Sequence, residues 1–489
     1  MDVVTKLQHR SSSPPRDFIF SRIPFSPRKG ENSHTKLWIF FSAAVSIAVF
    51  LYLLLASKRI NSPRFSIIID AGSTGTRLHV FSFVISPKTK LPVLDLASTS
   101  SLKVRPGLSS YSGDPSSAGD SLVDLLRFGK GKVPRDQWGD TEVRLMATAG
   151  LRMLDAGVTD SILESCRMAL RSSGFLFQDE WATVISGSEE GVFAWVAANY
   201  ALGMLGGDPL KTNGIIELGG ASAQITFATE EALPSELAHV VKFGEATYKL
   251  YSNSFLHFGQ NVAQESVKEL LSSRSAEKSP TSRVFIDPCS PRGYSYSVMS
   301  PEASTALPIS TVEDHSISHA SGNFSECKSA ALLLLKQENG KCLRQECRFG
   351  SNYIPKLQGR FLATENFFFT SEFFGLGSVL VLSDFESAGQ HFCEEDWDNL
   401  KYKYQTFEAD DFARYCFSSA YIVALLHDNL GIPMDDKSRL WFANQVDGIH
   451  LDWALGAFIL QTKEHLGWAA SIFHFNFFSP LASSQFSCS

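Results

Sequence analysis

One pattern occurs twice in this 489-residue chain: an apolar strand, a carboxylate, any residue, a glycine, a small polar turn and a second strand. It reads IIDAGSTGTRLHVF at 68–81 and IIELGGASAQITF at 215–227, so Asp70 and Glu217 hold matching positions. Small residues let backbone N–H groups approach an anion, and a carboxylate at a strand end suits a divalent cation that bridges phosphate oxygens. The repeat predicts two domains that hold a polyphosphate from opposite sides of a cleft. The alternative is a pair of unrelated β-hairpins.

Strands and helices alternate around the two copies. Apolar runs predict strands at 78–83, 143–147, 183–186 and within 214–228, with helices over 161–174 and 186–203. This alternation is typical of α/β proteins, and the length of the chain favours two domains over one. Two polar, serine-rich stretches, 271–282 and 296–326, are expected to be loops.

An uncharged stretch of 21 residues at 37–57 is long enough to cross a membrane as a helix. A cleaved signal peptide is the alternative, but its apolar region usually has about 7–15 residues near the N-terminus. Residues 1–36 form a basic tail that is expected to be disordered, and its charge favours a cytoplasmic N-terminus. We expect a single-pass type II membrane protein of the secretory pathway, in the Golgi or another endomembrane rather than the plasma membrane. The rest of the chain would be lumenal or extracellular.

The charge and the cysteines fit that location. The tail carries seven basic and three acidic residues and the whole chain has a net charge of −7, so the remainder carries −11, which argues against a nucleic-acid partner. Six of the eight cysteines lie between 289 and 416 without a CxxC pattern, which indicates disulfides in an oxidising compartment. Their spacing leaves the connectivity open. Asn323 begins the one N-glycosylation triplet and is expected to carry a glycan.

Five stretches follow one another in order: DAGSTGTR (70–77), ATAGLRML (147–154), SGSEEGVFAWVAANYALG (186–203), ELGGASAQ (217–224) and WALGA (453–457). Together they resemble the five apyrase conserved regions of the nucleoside triphosphate diphosphohydrolase family, in a form closest to plant apyrases with an N-terminal membrane anchor. The resemblance covers about residues 64–460. It implies an α/β fold of the two-domain actin, sugar-kinase and Hsp70 (ribonuclease H-like) type, with the active site in the interdomain cleft. The first domain would comprise 64–186 and 450–470, and the second 187–449.

The resemblance also implies an activity, namely hydrolysis of the terminal phosphates of nucleoside tri- or diphosphates by an attacking water, with Ca²⁺ or Mg²⁺ as cofactor. Two loops would hold the phosphates. Their matching residues are Ser73, Thr74, Gly75 and Thr76 in the first loop and Gly219, Gly220 and Ala221 in the second.

Four residues match catalytic positions of the family. Glu190 matches the base that activates the water, and Ser222 with Gln224 matches the pair that holds this water. Thr148 lies near the metal and the nucleophile in the family pattern. The adjacent Glu189 has a structural explanation instead, because Ser186-Gly187-Ser188-Glu189 fits the S-x-x-E capping box that begins a helix.

Asp70 and Glu217 match the two carboxylates that hold the metal through waters. The fourth region usually begins with Asp, so Glu217 departs from the pattern by one methylene. Metal binding is expected to survive this change. The rate, the metal preference and the balance between tri- and diphosphates become uncertain.

Cysteine pairs and base contacts are also implied by the resemblance. The implied disulfides are Cys289–Cys327, Cys342–Cys347 and Cys393–Cys416. Phe369 and Tyr421 are candidates for stacking on the nucleotide base, although both regions fit core packing equally well. Core packing is the better explanation for Trp195, Asn199 and Tyr200, and close backbone packing for the small residues of WALGA.

Two alternatives to the hydrolase remain at this point. A sugar kinase of the same superfold would transfer the phosphate to an acceptor, but it should show an Asp base in an acceptor-binding domain. A nucleotide-binding protein whose active site has drifted is the other alternative, and Glu217 leaves room for it.

Overall fold

The computed structural model describes residue 38 and residues 40–50, 62–278, 284–299, 315–336 and 347–465. The chain forms two compact units, Met1–Ser62 and Pro63–Ser489. In the first unit, residues 40–50 form a helix, α1. The expected tail, 1–36, lies wholly outside the described residues, as do residues 37, 39 and 51–57 of the expected span at 37–57. Within the described part, no helix is both long and apolar enough to span a membrane.

The second unit contains two six-stranded mixed sheets. The strands of the first sheet are β1 (Arg64–Ala71), β2 (Thr76–Ile85), β3 (Pro92–Leu94), β4 (Ser100–Val104), β5 (Glu142–Ala147) and β6 (Ala182–Val184). β1 and β2 form an antiparallel hairpin, and β5 and β6 continue the sheet as parallel strands beside β1. Ile67, Ile68 and Ile69 are fully buried, because helices or other strands cover both faces of β1.

The second sheet repeats this plan. Its strands are β7 (Gly214–Leu218), β8 (Ser222–Ala228), β9 (Ala238–Phe243), β10 (Ala246–Leu256), β16 (Phe361–Glu365) and β17 (Leu440–Phe442). β7 and β8 form the antiparallel hairpin, while β16 and β17 lie parallel beside β7. Both copies of the sequence pattern are therefore hairpins at the same place in two sheets of the same plan.

Helices and short strands complete the second unit. The helices are α2 (Val123–Lys132), α3 (Ala149–Arg152), α4 (Ala156–Arg171), α5 (Gly187–Ala201), α6 (Gln260–Lys278), α7 (Phe324–Lys336), α8 (Asn366–Phe373), α9 (Leu382–Glu394), α10 (Trp397–Lys403), α11 (Ala409–Ala413), α12 (Tyr415–Val423) and α13 (Trp453–His465). The short strands are β11 (Val284–Asp287), β12 (Ser297–Met299), β13 (His315–Ala320), β14 (Cys347–Arg348), β15 (Asn352–Tyr353), β18 (Gln445–Val446) and β19 (Ile449–His450). α12 continues as one π-helical turn, Ala424–Asn429.

Helices α5 and α13 pack in one core with both sheets, which includes Ile68 and Ile215. A Cβ at Gly456 of α13 would lie 1.7 Å from the carbonyl oxygen of Phe193 on α5, so this glycine permits the close approach. The close packing expected for WALGA is confirmed. Trp195 and Asn199 on α5 are fully buried, which confirms their core role.

The serine-rich loops predicted at 271–282 and 296–326 are wrong in part. α6 extends through residue 278, and β12, β13 and the start of α7 fall within the second stretch. Packing explains the difference for α6, since Ala263 and Val267 on its earlier turns are buried in the core and the helix continues from this anchored face.

Two of the three implied disulfides are present, Cys289–Cys327 and Cys393–Cys416. Cys342 lies outside the described residues. Cys166 on α4 is a buried free thiol. Asn323 lies immediately before α7, where its Oδ1 accepts a hydrogen bond from the Glu326 N–H at 3.1 Å.

Candidate active site

The two pattern carboxylates occupy equivalent positions in the two sheets. Asp70 lies opposite Arg77 on the antiparallel side of β1 and opposite Met146 on the parallel side. Glu217 lies opposite Gln224 on β8 and Thr364 on β16 in the same relation. Both side chains line one cleft. The structure therefore brings together two acids that are 147 positions apart in the sequence.

The two hairpin turns meet across this cleft. Ser73, Thr74 and Gly75 line it from one turn, and Gly219, Gly220 and Ala221 line it from the other. A Cβ at Gly220 would lie 3.2 Å from both Ser73 Oγ and Thr74 Cγ2, so the turns face each other at contact distance. Thr76 is fully buried at the start of β2, and its side chain does not belong to the described lining.

The second turn is held by the start of α6. The N–H groups of Gln260 and Asn261 donate to the carbonyls of Gly219 and Gly220 at 2.9 and 3.0 Å. These bonds satisfy donors that a helix N-terminus leaves free, and they fix the turn that lies in front of it.

Glu189 and Glu190 lie in the first turn of α5 and have separate roles. Glu189 completes the predicted capping box, because its N–H donates to Ser186 Oγ at 3.2 Å and its Oε2 accepts from the Ser186 N–H at 2.8 Å. Glu190 instead points into the cleft. There its Oε2 lies 2.5 Å from Nη2 of Arg152, at the end of α3.

Ser222 and Gln224 are brought together at the start of β8. The Gln224 Nε2 donates to Ser222 Oγ at 2.7 Å and to Ser254 Oγ at 3.2 Å. This network orients the amide beside Glu190, since all three matched side chains line the cleft. Thr148, which directly precedes α3, is also buried in the cleft wall.

Burial and mutual repulsion make the cleft carboxylates unusually basic. Burial, together with the charge of Glu190, raises the pKa of Asp70 to about 8. Burial also raises the pKa of Glu217 well above its ordinary value, with Glu190 and Glu365 adding to the effect. The pKa of Glu190 is raised by burial too, but the positive charge of Arg152 opposes this shift.

Three charged residues that the sequence analysis missed also line the cleft. They are Lys103, Glu365 and Asp452. Glu365 ends the apolar strand β16, so the rule that singled out Asp70 could have found it. Asp452 directly precedes WALGA, where its Oδ1 caps α13 by accepting from the Leu455 N–H at 3.0 Å. No local signal marks Lys103, which reaches the cleft because β4 pairs with β2.

The residues present fit a hydrated divalent cation. Asp70 Oδ1 and Glu217 Oε2 are buried and have no hydrogen-bond partner among the described residues. A buried carboxylate oxygen without a partner requires a cation, a proton or a water. Across the described part of the chain, no three His, Cys, Asp or Glu side chains are placed to bind an ion directly. The arrangement therefore suits a cation that keeps its water shell.

The two candidates for base stacking differ in accessibility. Tyr421 is fully buried in α12, and its hydroxyl donates to the Phe258 carbonyl at 2.7 Å. The expectation for Tyr421 is therefore wrong, because no face of its ring is free. Phe369 on α8 is 44% exposed but is not among the described cleft-lining residues.

The protein is an α/β protein with two similar mixed sheets. Its candidate site lies in the cleft where the hairpin turns of the two sheets meet. The profile of the GDA1/CD39 (nucleoside phosphatase) family matches residues 57–472, and the chain belongs to that family.

Two curated relatives illustrate the match. "Probable apyrase 6" of Arabidopsis thaliana is 52% identical over 87% of this chain and 77% of that protein. "Ectonucleoside triphosphate diphosphohydrolase 3" of Homo sapiens is 29% identical over 82% of this chain and 78% of that protein. Among solved structures, nucleoside triphosphate hydrolases from Neospora caninum align with a TM-score of 0.61 at 18% identity. The alignment covers 87% of this chain and 98% of that one, so the two share a fold.

Proposed function

We propose that this protein is an apyrase, which hydrolyses the terminal phosphates of nucleoside tri- and diphosphates with a divalent cation and a water activated by Glu190. The observation that carries the proposal is the position of Glu190. Its buried carboxylate shares one cleft with both hairpin turns, with the Ser222–Gln224 pair and with Asp70. Membership of the nucleoside phosphatase family supports the same activity.

In the proposed reaction, the water oxygen forms a bond to the terminal phosphorus while the bridging P–O bond breaks. The water gives one proton to Glu190, and the shortened nucleotide leaves with the bridging oxygen. Ser222 and Gln224 orient the water through their linked side chains. Arg152 favours the charged form of Glu190, which must be unprotonated to accept the proton.

Asp70 and Glu217 would hold Ca²⁺ or Mg²⁺ through waters, which accounts for their buried, unpartnered oxygens. When bound, the cation supplies charge neutralisation at the phosphate oxygens. The turns that contain Ser73 and Gly220 would hold the phosphates on either side. Phe369, which is exposed on α8 four residues after the cleft-lining Glu365, stays the candidate for the nucleotide base.

We further propose that residues 37–57 anchor the chain in a secretory membrane, with the catalytic unit lumenal or extracellular. The two disulfides fit an oxidising compartment. A glycan on Nδ2 of Asn323 would leave its Oδ1 free to cap α7. Protease protection in microsomes tests the topology, and loss of a mobility shift in Asn323→Gln tests the glycan.

The activity is tested by phosphate release from a panel of nucleoside tri- and diphosphates, with the purified full-length chain in Ca²⁺, Mg²⁺ or EDTA. The wild type should release phosphate with either cation and none in EDTA. Glu190→Gln should lose at least about a thousandfold in kcat and still bind nucleotide. Glu189→Gln is the matched control, since Gln preserves the capping box, and it should keep its activity.

The outcomes separate the alternatives. Nucleotide binding without release by the wild type would identify a drifted binding protein. Phosphate transfer to a sugar in place of release would identify a kinase. Normal turnover by Glu190→Gln would show that another group is the base.

A further inference from the structure

Glu365 is a cleft carboxylate at the end of a strand that neither copy of the hairpin pattern supplies. It ends β16, which lies parallel to β7, and it is the register partner of Leu218. Its backbone has φ +59° and ψ −122°, in a region that non-glycine residues rarely adopt. The Glu365 N–H donates to Asn444 Oδ1 at 2.7 Å, which helps to hold this conformation. Strain of this kind at a cleft-lining residue points to a function for the side chain.

A comparison of the two sheets shows that the first sheet has no counterpart of the Glu365 carboxylate. Met146 lies opposite Asp70 in the first sheet, and Thr364 lies opposite Glu217 in the second. The residue that follows Met146 is Ala147, so the first sheet has a methyl group where the second has the carboxylate of Glu365. One hairpin acid per sheet is common to both halves, whereas the carboxylate on the neighbouring strand occurs in the second sheet alone.

Acidic side chains outnumber cationic ones in the cleft. Five carboxylates line it: Asp70, Glu190, Glu217, Glu365 and Asp452. Arg152 neutralises Glu190, and the remaining cationic side chains in the described lining are Arg77 and Lys103. When the other four carboxylates are ionised, they exceed the two cations by two charges, which one divalent cation would neutralise.

A second observation points to a ligand at the same place. Glu217 is 5% exposed, and its Oε2 has no partner among the residues that the structure describes. Burial raises the pKa of Glu217, and the charges of Glu190 and Glu365 add to this shift. A buried acid with a half-buried acid on the neighbouring strand attracts a cation even before a nucleotide brings one.

We propose that Glu365 is a third carboxylate of the cation site, acting with Asp70 and Glu217 through the water shell of the ion, and that the cleft binds a divalent cation in the absence of nucleotide. The proposal rests on the cation site of the proposed function. It adds a residue that lies outside the recognised motifs and a binding step that requires no substrate. The competing role for Glu365 is a structural ion-pair partner of Arg77 and Lys103.

Calcium binding to the nucleotide-free, full-length chain tests the proposal. Metal is removed with EDTA and dialysis, and Ca²⁺ is titrated by calorimetry. Thermal unfolding is followed in EDTA and in Ca²⁺. Glu365→Gln should bind Ca²⁺ about tenfold more weakly than the wild type, because affinity at such sites follows the number of charged ligands. It should also unfold at a higher temperature in EDTA, because one repulsive charge is gone.

Two more variants complete the experiment. Glu372→Gln removes the same charge from an exposed position on α8 and should leave both measurements unchanged. Glu365→Gly suits the positive φ, so it keeps the experiment interpretable if Glu365→Gln fails to fold, and it should weaken Ca²⁺ binding equally.

Two results would overturn the proposal. One is a wild type that takes up no Ca²⁺ without nucleotide. The other is a Glu365→Gln variant with unchanged Ca²⁺ affinity and a lower unfolding temperature in EDTA, which would identify the ion pair with Arg77 and Lys103. Phosphate release measured on the same preparations tests the apyrase activity separately from the cation site. Ca²⁺ binding without hydrolysis would contradict the apyrase and leave the cation site standing.

Discussion

The guanidinium of Arg152 is ion-paired with the carboxylate of Glu190, with Nη2 and Oε2 2.5 Å apart. A Cβ at Gly187 would lie 2.1 Å from Ser254 Cβ and 2.3 Å from the Arg152 Nη1, so the first residue of α5 must be a glycine. The sequence motif ATAGLRML thereby contributes a charge that acts directly on the proposed base. Burial raises the pKa of Glu190, and the positive charge of Arg152 counteracts this shift. Arg152 therefore favours the charged form of Glu190, which the proposed base requires.

Replacement of Arg152 should therefore change the pH profile of the enzyme. In Arg152→Met the pKa of Glu190 rises, so the acid limb of kcat/KM moves to higher pH and the rate at a fixed pH on that limb falls, about tenfold if the pKa rises by about one. The measurement is a pH–rate profile from about pH 5 to about pH 9. Arg144→Met, which removes an arginine paired with Glu142 outside the cleft, is the control. A loss of rate that is the same at every pH would contradict this prediction.

Glu217→Asp restores the acid that is usual in the fourth motif. The carboxylate stays at the same strand position and retreats by one methylene, and an intervening water shell can absorb this change. We expect kcat to stay within about tenfold of the wild type, on the order of 1.4 kcal/mol or less. Steady-state hydrolysis of a triphosphate and a diphosphate measures both the rate and the preference. Complete inactivity would show that the longer side chain has a separate role.

Gly220→Ala tests the contact between the two hairpin turns. The added methyl group would lie 3.2 Å from Ser73 Oγ and Thr74 Cγ2, so the turns must separate slightly. We expect KM for nucleotide to rise about threefold or more with little change in the unfolding temperature. Gly139→Ala, whose Cβ would meet no atom within 4 Å, should leave KM unchanged. Equal KM values for the two variants would show that the turns do not set the phosphate spacing.

The stability of the metal-free protein should depend on pH through Asp70. Its pKa rises from near 3.8 in the unfolded chain to about 8 in the folded one. The folded state therefore binds more protons than the unfolded state across this window, and its stability falls as pH rises from about 4 to 8. Scanning calorimetry in EDTA should show this decline, and Asp70→Asn should flatten it. Calcium should raise the unfolding temperature more at pH 8 than at pH 5, and a pH-independent increment would argue against this explanation.

Gly456→Ala should destabilise the chain through the contact of α13 with α5. The new Cβ would lie 1.7 Å from the Phe193 carbonyl oxygen, so the helices must separate, at a cost of about 2 kcal/mol or more in the free energy of unfolding. Gly131→Ala in α2 is the matched control, because its Cβ would meet open space, and it should stabilise the protein by up to about 1 kcal/mol. Denaturant unfolding of both variants measures the difference, and equal stabilities would contradict the close contact.

The parts of the fold that could be predicted are those specified by neighbouring residues. The hairpins around Asp70 and Glu217, the capping box of Glu189 and the strand at 143–147 follow from local patterns of apolar, small and polar side chains. The end of α6 was not predictable in this way, because packing of its buried face keeps a serine-rich segment helical.

The site shows the same division. Glu190 could be predicted as the base because the adjacent Glu189 already had a structural role in the capping box. Lys103 could not be found in this way, since it reaches the cleft only through the pairing of β4 with β2. Glu365 could be recognised at the end of an apolar strand, but its position in this cleft depends on the pairing of β16 with β7. Tyr421 was assigned wrongly because an aromatic residue in an apolar run looks the same in sequence whether its ring meets a ligand or the core.

The glycine contact between α5 and α13 also determines how the cleft can open. Sliding of one helix along the other would bring Trp453 or Leu460, which lie on the same face of α13 as Gly456, against the backbone of Phe193, where there is room for a hydrogen atom alone. Rotation about the contact leaves it intact. We therefore expect the cleft to open by a rotation about this contact, which moves the hairpin turns apart, and not by sliding of the two helices.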